Sequence, residues 1–171
     1  MRWLVALLFM TLPAFSETVV LGLSQNKIAI TTSFDGSEIL VFGAVKRDAP
    51  IPSEPRLQVI VTVAGPSETK TIRRKEKRFG IWVNTDAVEI DSAPSFYAIS
   101  TSTLLGLSLS QTEDVRHRIS IPRAIRSIDA PAGITDSEAF TDALIRIKSK
   151  SNQYQLNEGK VSVDEETLFR T

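Results

Sequence analysis

The chain has 171 residues, of which 42% are apolar and 23% charged, and its 20 basic and 20 acidic side chains balance to zero net charge. That composition is ordinary for a globular chain and provides no global field to steer it toward nucleic acid. Cysteine is absent, which excludes a disulfide-linked partner, a lipid-anchored lipoprotein, a thiol nucleophile and a thiolate metal or iron–sulfur site.

Residues 1–16 read as a secretory signal peptide. Arg2 precedes an apolar run from Trp3 to Phe15 that closes on Ala14-Phe15-Ser16. A positive start, a core of about 7–15 apolar residues and small residues at the exit are what such a signal needs. The run is short of the ~20 residues of a membrane span, so cleavage after Ser16 is expected, leaving Glu17 first. No N-x-[ST] sequon occurs, which points to a bacterial envelope rather than a eukaryotic secretory route. The remaining ~155 residues suffice for one domain with a substantial core.

Residues 17–92 read as β-structure. Val19–Leu23 is a short apolar strand, and Lys27–Thr32 alternates, with Ile28 and Ile30 on one face. Asp35-Gly36 supplies a turn. Ile39, Val41 and Val45 follow at even spacing, with Gly43 placed for a bulge. Pro50, Pro52 and Pro55 mark a loop. Leu57, Val59, Val61 and Val63 then alternate, and Gly65-Pro66-Ser67 punctuates the strand before Thr69–Arg74 returns, which predicts a hairpin with these valines buried and Gln58 and Thr62 exposed. Ile81–Asn84 and Val88–Ile90 add two short strands. Six or seven short strands separated by turn signals predict an antiparallel sandwich of immunoglobulin-like type.

Residues 93–158 read as a helical insertion. Pro94 opens a helix at Ser95 that places Phe96, Ile99 and Thr103 on one face, and Val115–Ile121 is a second short helix before Pro122. Ala130-Pro131-Ala132-Gly133 breaks the chain. Thr135 with Glu138 fits a capping box. It leads into a stripe of Phe140, Ala143, Leu144 and Ile147 at i, i+3, i+4 and i+7, which a core must cover. Residues 159–171 begin a further strand region at Lys160–Val163, and the abrupt finish at Arg170-Thr171 reads as truncation.

The catalytic signals are few. His117 is the sole histidine, and no H-E-x-x-H pattern accompanies it. No G-x-S-x-G elbow, G-x-G-x-x-G turn or P-loop occurs. Glu113-Asp114 and Asp164-Glu165-Glu166 lack the calcium-loop pattern and read as solvated surface. Catalytic, metal-binding and cofactor-binding residues are accordingly expected to be none. Trp82 and the Phe96-Tyr97 pair read as core.

The sharpest charge feature is the run Arg73-Arg74-Lys75-Glu76-Lys77-Arg78. Arg73, Arg74, Lys75, Lys77 and Arg78 form a candidate contact for an anionic lipid surface or an acidic partner, each basic residue near a charged bilayer being worth about 1 kcal/mol. The competing reading is a solvated strand edge whose charges block pairing with other chains.

The early Leu-Ser…Ile-Ala-Ile-Thr strands, Phe34-Asp35-Gly36 leading to Leu40-Val41-Phe42-Gly43-Ala44, and Gly80-Ile81-Trp82-Val83-Asn84 with Ala93-Pro94-Ser95-Phe96-Tyr97 carry a resemblance. Together with the signal peptide, they make the chain similar to the uncharacterised putative transmembrane protein family of alphaproteobacteria. The resemblance implies a periplasmic domain held by a C-terminal transmembrane helix, often encoded beside a sulfite or sulfonate exporter. It implies no site residue, because the family has no established activity, and no such helix precedes Thr171.

The combined expectation is an exported, non-enzymatic periplasmic module. In its complete form it is anchored to the inner membrane and is accessory to an inner-membrane partner such as a transporter. The alternative is a periplasmic ligand-binding protein or hydrolase whose site assembles from dispersed polar residues.

Overall fold

The computed structural model describes residues 17–25, 39–47, 56–127 and 136–171. The signal segment, the strand expected at Lys27–Thr32, the Asp35-Gly36 turn, the Pro50–Pro55 loop and the Ala130–Gly133 breaker lie outside the described residues.

The described chain is mostly strand. Its elements run β1 (Thr18–Leu23), β2 (Val41–Lys46), β3 (Ile60–Ala64), β4 (Ser67–Arg78), β5 (Ile81–Pro94) and β6 (Tyr97–Thr101), then α1 (Leu105–Ser108), α2 (Gln111–His117), α3 (Ile121–Ala124) and α4 (Ser137–Lys150), and finally β7 (Tyr154–Asn157), β8 (Ser162–Asp164) and β9 (Leu168–Arg170). Six strands therefore precede the helices, and three follow.

Among the described residues three sheets form: β1-β2-β9-β8, β3-β6-β7 and the two-stranded β4-β5 ribbon. Their pairings are antiparallel except β6 with β7, which is parallel. The expected antiparallel β character is present, but among the described residues the strands divide into three sheets with one parallel pairing and do not form the expected immunoglobulin-like sandwich. The C-terminal strands return to earlier sheets across the helical region, so β7 lies beside β6 and β9 beside β2.

The hairpin expected across Gly65-Pro66-Ser67 does not form. β3 pairs with β6, with Val61 opposite Ser100, while β4 pairs with β5. The Gly65 amide donates to Phe96 O, and the Ser95 amide donates to Pro66 O, so the two connections cross side by side. Val59 is buried, Val61 half-buried and Val63 exposed, while Gln58 and Thr62 are exposed as alternation requires. The valine face runs out from beneath the core as β3 proceeds.

The helix expected from Ser95 is instead the end of β5 and strand β6. Tyr97, Ile99 and Thr101 are buried at alternate positions, a period of two that only a strand produces. The residues between 111 and 124 divide into α2 and α3, and α3 carries Pro122 in its first turn. There the missing amide donor costs nothing. α4 matches the expected stripe at Phe140 and Leu144, which are buried, but leaves Ile147 exposed. Asp136 sits at its N-cap position, and Thr135 lies outside the described residues.

Two apolar clusters hold the body. Ile90, Ala93, Tyr97, Ile99, Ile125, Leu144 and Tyr154 join the base of the ribbon, β6, β7, α3 and α4. Val45, Val59, Val161 and Phe169 join β2 and β9 to the segments leading into β3 and β8. Gly43 serves the second cluster rather than a bulge. Its pairing is regular with Leu21 and Phe169, and a Cβ there would stand 2.6 Å from Phe169 Cζ.

Candidate functional site

The charged run lies at a strand end, as expected, but as the outer half of a strand longer than Thr69–Arg74. β4 continues through it to Arg78, and β5 starts at Ile81, so Phe79 and Gly80 form a two-residue turn. Their φ values are +50° and +85°, the signature of a type I′ hairpin, which matches the right-handed twist of the strands. Gly adopts positive φ freely, but an L-residue such as Phe pays roughly 1–2 kcal/mol there. The register shifts once between Glu68 and Lys70 and again between Arg74 and Lys75, and such irregularities increase local twist.

Alternation divides the run between two faces. Arg73, Lys75 and Lys77 are exposed on one face, while Ile72, Arg74 and Glu76 are half-buried on the other. Arg74 is tied to the body. Its Nη2 lies 2.5 Å from Asp136 Oδ2, its Nη1 lies 3.7 Å from Asp86 Oδ2, and its guanidinium sits 4.7 Å above the Phe140 ring. The hydrogen bond to Asp136 is the main reason the guanidinium holds its proton even more firmly than usual. Arg78 pairs with Glu76 at 3.2 Å. Arg73, Lys75 and Lys77 make no ion pair among the described residues. The five sequence-nominated cations are therefore two engaged groups and a stripe of three unengaged ones.

Trp82 corrects the expectation of a core tryptophan. It stands opposite Lys77 across the ladder, is 68% exposed, and extends the cationic stripe toward the turn. Ile81 is 65% exposed, and Phe79 is fully exposed at 106%. Phe79, Ile81 and Trp82 are all exposed at this end of the ribbon, so alternation cannot choose a buried face. The sequence signal was Gly80 alone, a turn residue between two alternating runs. Reading Thr69–Arg74 as the partner of β3 concealed it. Of the Phe96-Tyr97 pair, Tyr97 is core, as expected.

Other nominated groups scatter. His117 is exposed on α2, with Nε2 3.2 Å from Glu113. Asp114, expected to be solvated, has a side chain only 14% exposed and organises the α2–α3 corner. It accepts from the Ile119 and Ser120 amides at 3.1 and 2.7 Å, from Ser120 Oγ at 2.8 Å and from Arg123 Nε at 3.0 Å. Burial alone would raise this carboxyl, but the Ser120 amide and hydroxyl, with Arg123, hold it below its ordinary range. Glu166, also expected at the surface, accepts from the Leu57 amide at 2.5 Å. Ser67 and Lys70 have a Ser-x-x-Lys spacing, but in a strand residues i and i+3 point to opposite faces, and Lys70 pairs with Glu68 at 2.5 Å. Among the described residues no cluster of three His, Asp or Glu side chains is placed to hold a metal ion.

An apolar groove of about 1060 Å³ opens between β1 and β3, lined in part by Leu21, Leu23, Val59, Val61, Val63 and Phe169.

The candidate site is a cation-striped, aromatic-tipped ribbon that projects from a mainly β body. The match to known families is specific: the family described as "Putative transmembrane protein (Alph_Pro_TM)" covers residues 18–171, and the chain belongs to it. No curated protein and no solved structure matches the chain. Among the described residues no helix is long and apolar enough to cross a membrane.

Proposed function

We propose that the chain is an exported, non-enzymatic module of the bacterial envelope that works at the inner membrane as an accessory to a membrane-embedded partner. One observation carries this reading: Arg73, Lys75 and Lys77 are exposed, with no ion pair among the described residues, along an arm that ends in exposed Ile81 and Trp82. Solvent-facing cations that stabilise nothing in the body, continuous with apolar side chains that fill no core, are suited to a complementary surface outside the chain. Membership of a family named for a transmembrane segment supports a membrane setting.

The test places a photo-crosslinking side chain at position 75 in the protein expressed in its own envelope. An adduct with an integral inner-membrane protein is expected. Adducts confined to soluble proteins, or recovery of the chain from the cytoplasm with Met1 intact, would overturn the reading.

The groove favours a second reading, in which the body binds an elongated apolar ligand, because its lining is dominated by aliphatic side chains. Native mass spectrometry of the exported protein distinguishes the two. A stoichiometric apolar adduct would support ligand binding.

A further inference from the structure

We infer that the tip of the β4–β5 ribbon is a lipid-contact site, in which Phe79, Ile81 and Trp82 enter the interfacial region of an anionic bilayer while Lys75 and Lys77 meet its phosphate headgroups. The inference rests on the membrane setting proposed above and adds the chemistry that the arm recognises.

Three independent features converge on the tip. The first is exposure: Phe79, Ile81 and Trp82 are the apolar side chains nearest the turn, and each is exposed by more than half. The second is an uncompensated backbone conformation. A type I′ turn favours Asn-Gly or Gly-Gly, yet this turn holds Phe79 at φ +50° with its ring wholly in solvent. Folding gains nothing from an aromatic side chain there, and a local rule broken without a packing return points to function. The third is the arrangement of charge. Lys77 lies directly opposite Trp82, and Lys75 lies two pairs further from the tip, opposite Asn84. Apolar and aromatic groups at the leading end with cations just behind them match the depth order of a bilayer surface, where aromatic rings sit at headgroup level and lysines reach phosphate. A small acidic protein would satisfy the cations but leave Phe79 and Ile81 in water.

Trp3 and Trp82 are the only tryptophans, so a chain beginning at Glu17 carries its sole tryptophan at the tip. That chain is mixed with phosphatidylethanolamine/phosphatidylglycerol vesicles, and sedimentation and Trp82 emission are recorded. At 0.05 M salt the protein is expected to sediment with the vesicles and its emission to move to shorter wavelength. At 0.5 M salt, where the screening length has fallen from about 14 Å to about 4 Å, it is expected to be released. Lys77→Ala should weaken binding about fivefold. Phe79→Asn should weaken it about tenfold or more through lost apolar burial, and this variant should raise the melting temperature of the ribbon because Asn suits the turn. Opposite effects on binding and stability exclude misfolding as the cause.

Absence of sedimentation at low salt would overturn the lipid assignment. So would sedimentation with unchanged Trp82 emission, or wild-type binding by the Phe79→Asn protein, since each places the contact elsewhere. A position-75 adduct with an integral protein alongside vesicle indifference would leave the accessory role standing and remove the lipid site. Vesicle binding without any protein adduct would do the reverse.

Discussion

At the base of the β4–β5 ribbon Ile90 is completely buried and Val88 nearly so, while at the outer end of the same strand Ile81 and Trp82 are mostly exposed. One hydrogen-bonded ladder links the two ends. What differs is what lies against it: at the base Phe140 of α4 receives Arg74, and Ile72 packs on the cluster containing Ile90, Tyr97 and Leu144. A two-stranded ribbon is marginal in water without such packing. The base therefore supplies the stability and the tip borrows it, which leaves the tip's side chains available for a contact outside the chain.

The sharpest contrast comes from truncating one isoleucine at each end. Ile90→Ala should cost about 3–4 kcal/mol, the range for deleting a fully enclosed aliphatic side chain. Ile81→Ala should cost less than about 0.5 kcal/mol, as at ordinary surface positions. Denaturant unfolding measures both, and equal losses would show that the ends are not energetically distinct.

Asp114 extends the comparison to the helical side of the body. Asp114→Ala strips the Ile119 and Ser120 amides and Arg123 of their acceptor and should cost about 2 kcal/mol. Because the folded carboxyl is held below its ordinary value, its contribution is present above the unfolded carboxylate range and lost as pH falls through the folded value. Wild-type stability should therefore drop on acidification below about pH 4, and the variant should show a shallower drop. A parallel acid profile would remove Asp114 from this role.

Tyr154 gives the alkaline counterpart. Its hydroxyl donates to Pro94 O at 2.8 Å, and burial raises its pKa from 10.0 to about 12. A raised folded value means that stability is complete below pH 10 and is lost as pH rises toward 12. Tyr154→Phe should cost about 1 kcal/mol at neutral pH and flatten part of that alkaline loss. Tyr97, also raised by burial and then by the charge of Asp114, retains the remainder. An unchanged alkaline profile in pH-dependent melting would contradict the assignment.

The smallest effect separates adjacent cations. Arg74→Ala should increase amide exchange in the first turn of α4, since Arg74 holds Asp136 and covers Phe140. Lys75→Ala should leave exchange there unaltered. Equal exchange in both variants would mean that alternation along β4 does not sort the run.

Much of this organisation is legible in residue order. The β-rich character, the Val19–Leu23 strand, the even spacing of Ile39, Val41 and Val45, the Phe140/Leu144 face of α4 and the strand start at Lys160–Val163 follow from period and turn chemistry, which act over a few residues. Family membership is also carried by local motifs such as Gly80-Ile81-Trp82-Val83-Asn84. Strand partnership is not legible in that way. Val61 alternates equally well whether it faces Thr71 or Ser100, and only the closure of β3 on β6, with β7 returning in parallel, selects the second. Burial depends on the same choice. Trp82, Val63 and Ile147 have the residue types of a core but lie exposed, whereas Asp114 and Glu166 have the types of a surface and are drawn inward by amides, Asp114 by those of the turn just after its own helix and Glu166 by that of distant Leu57. Periodicity fixes which side chains share a face, but only the arrival of distant segments decides whether that face meets protein or water.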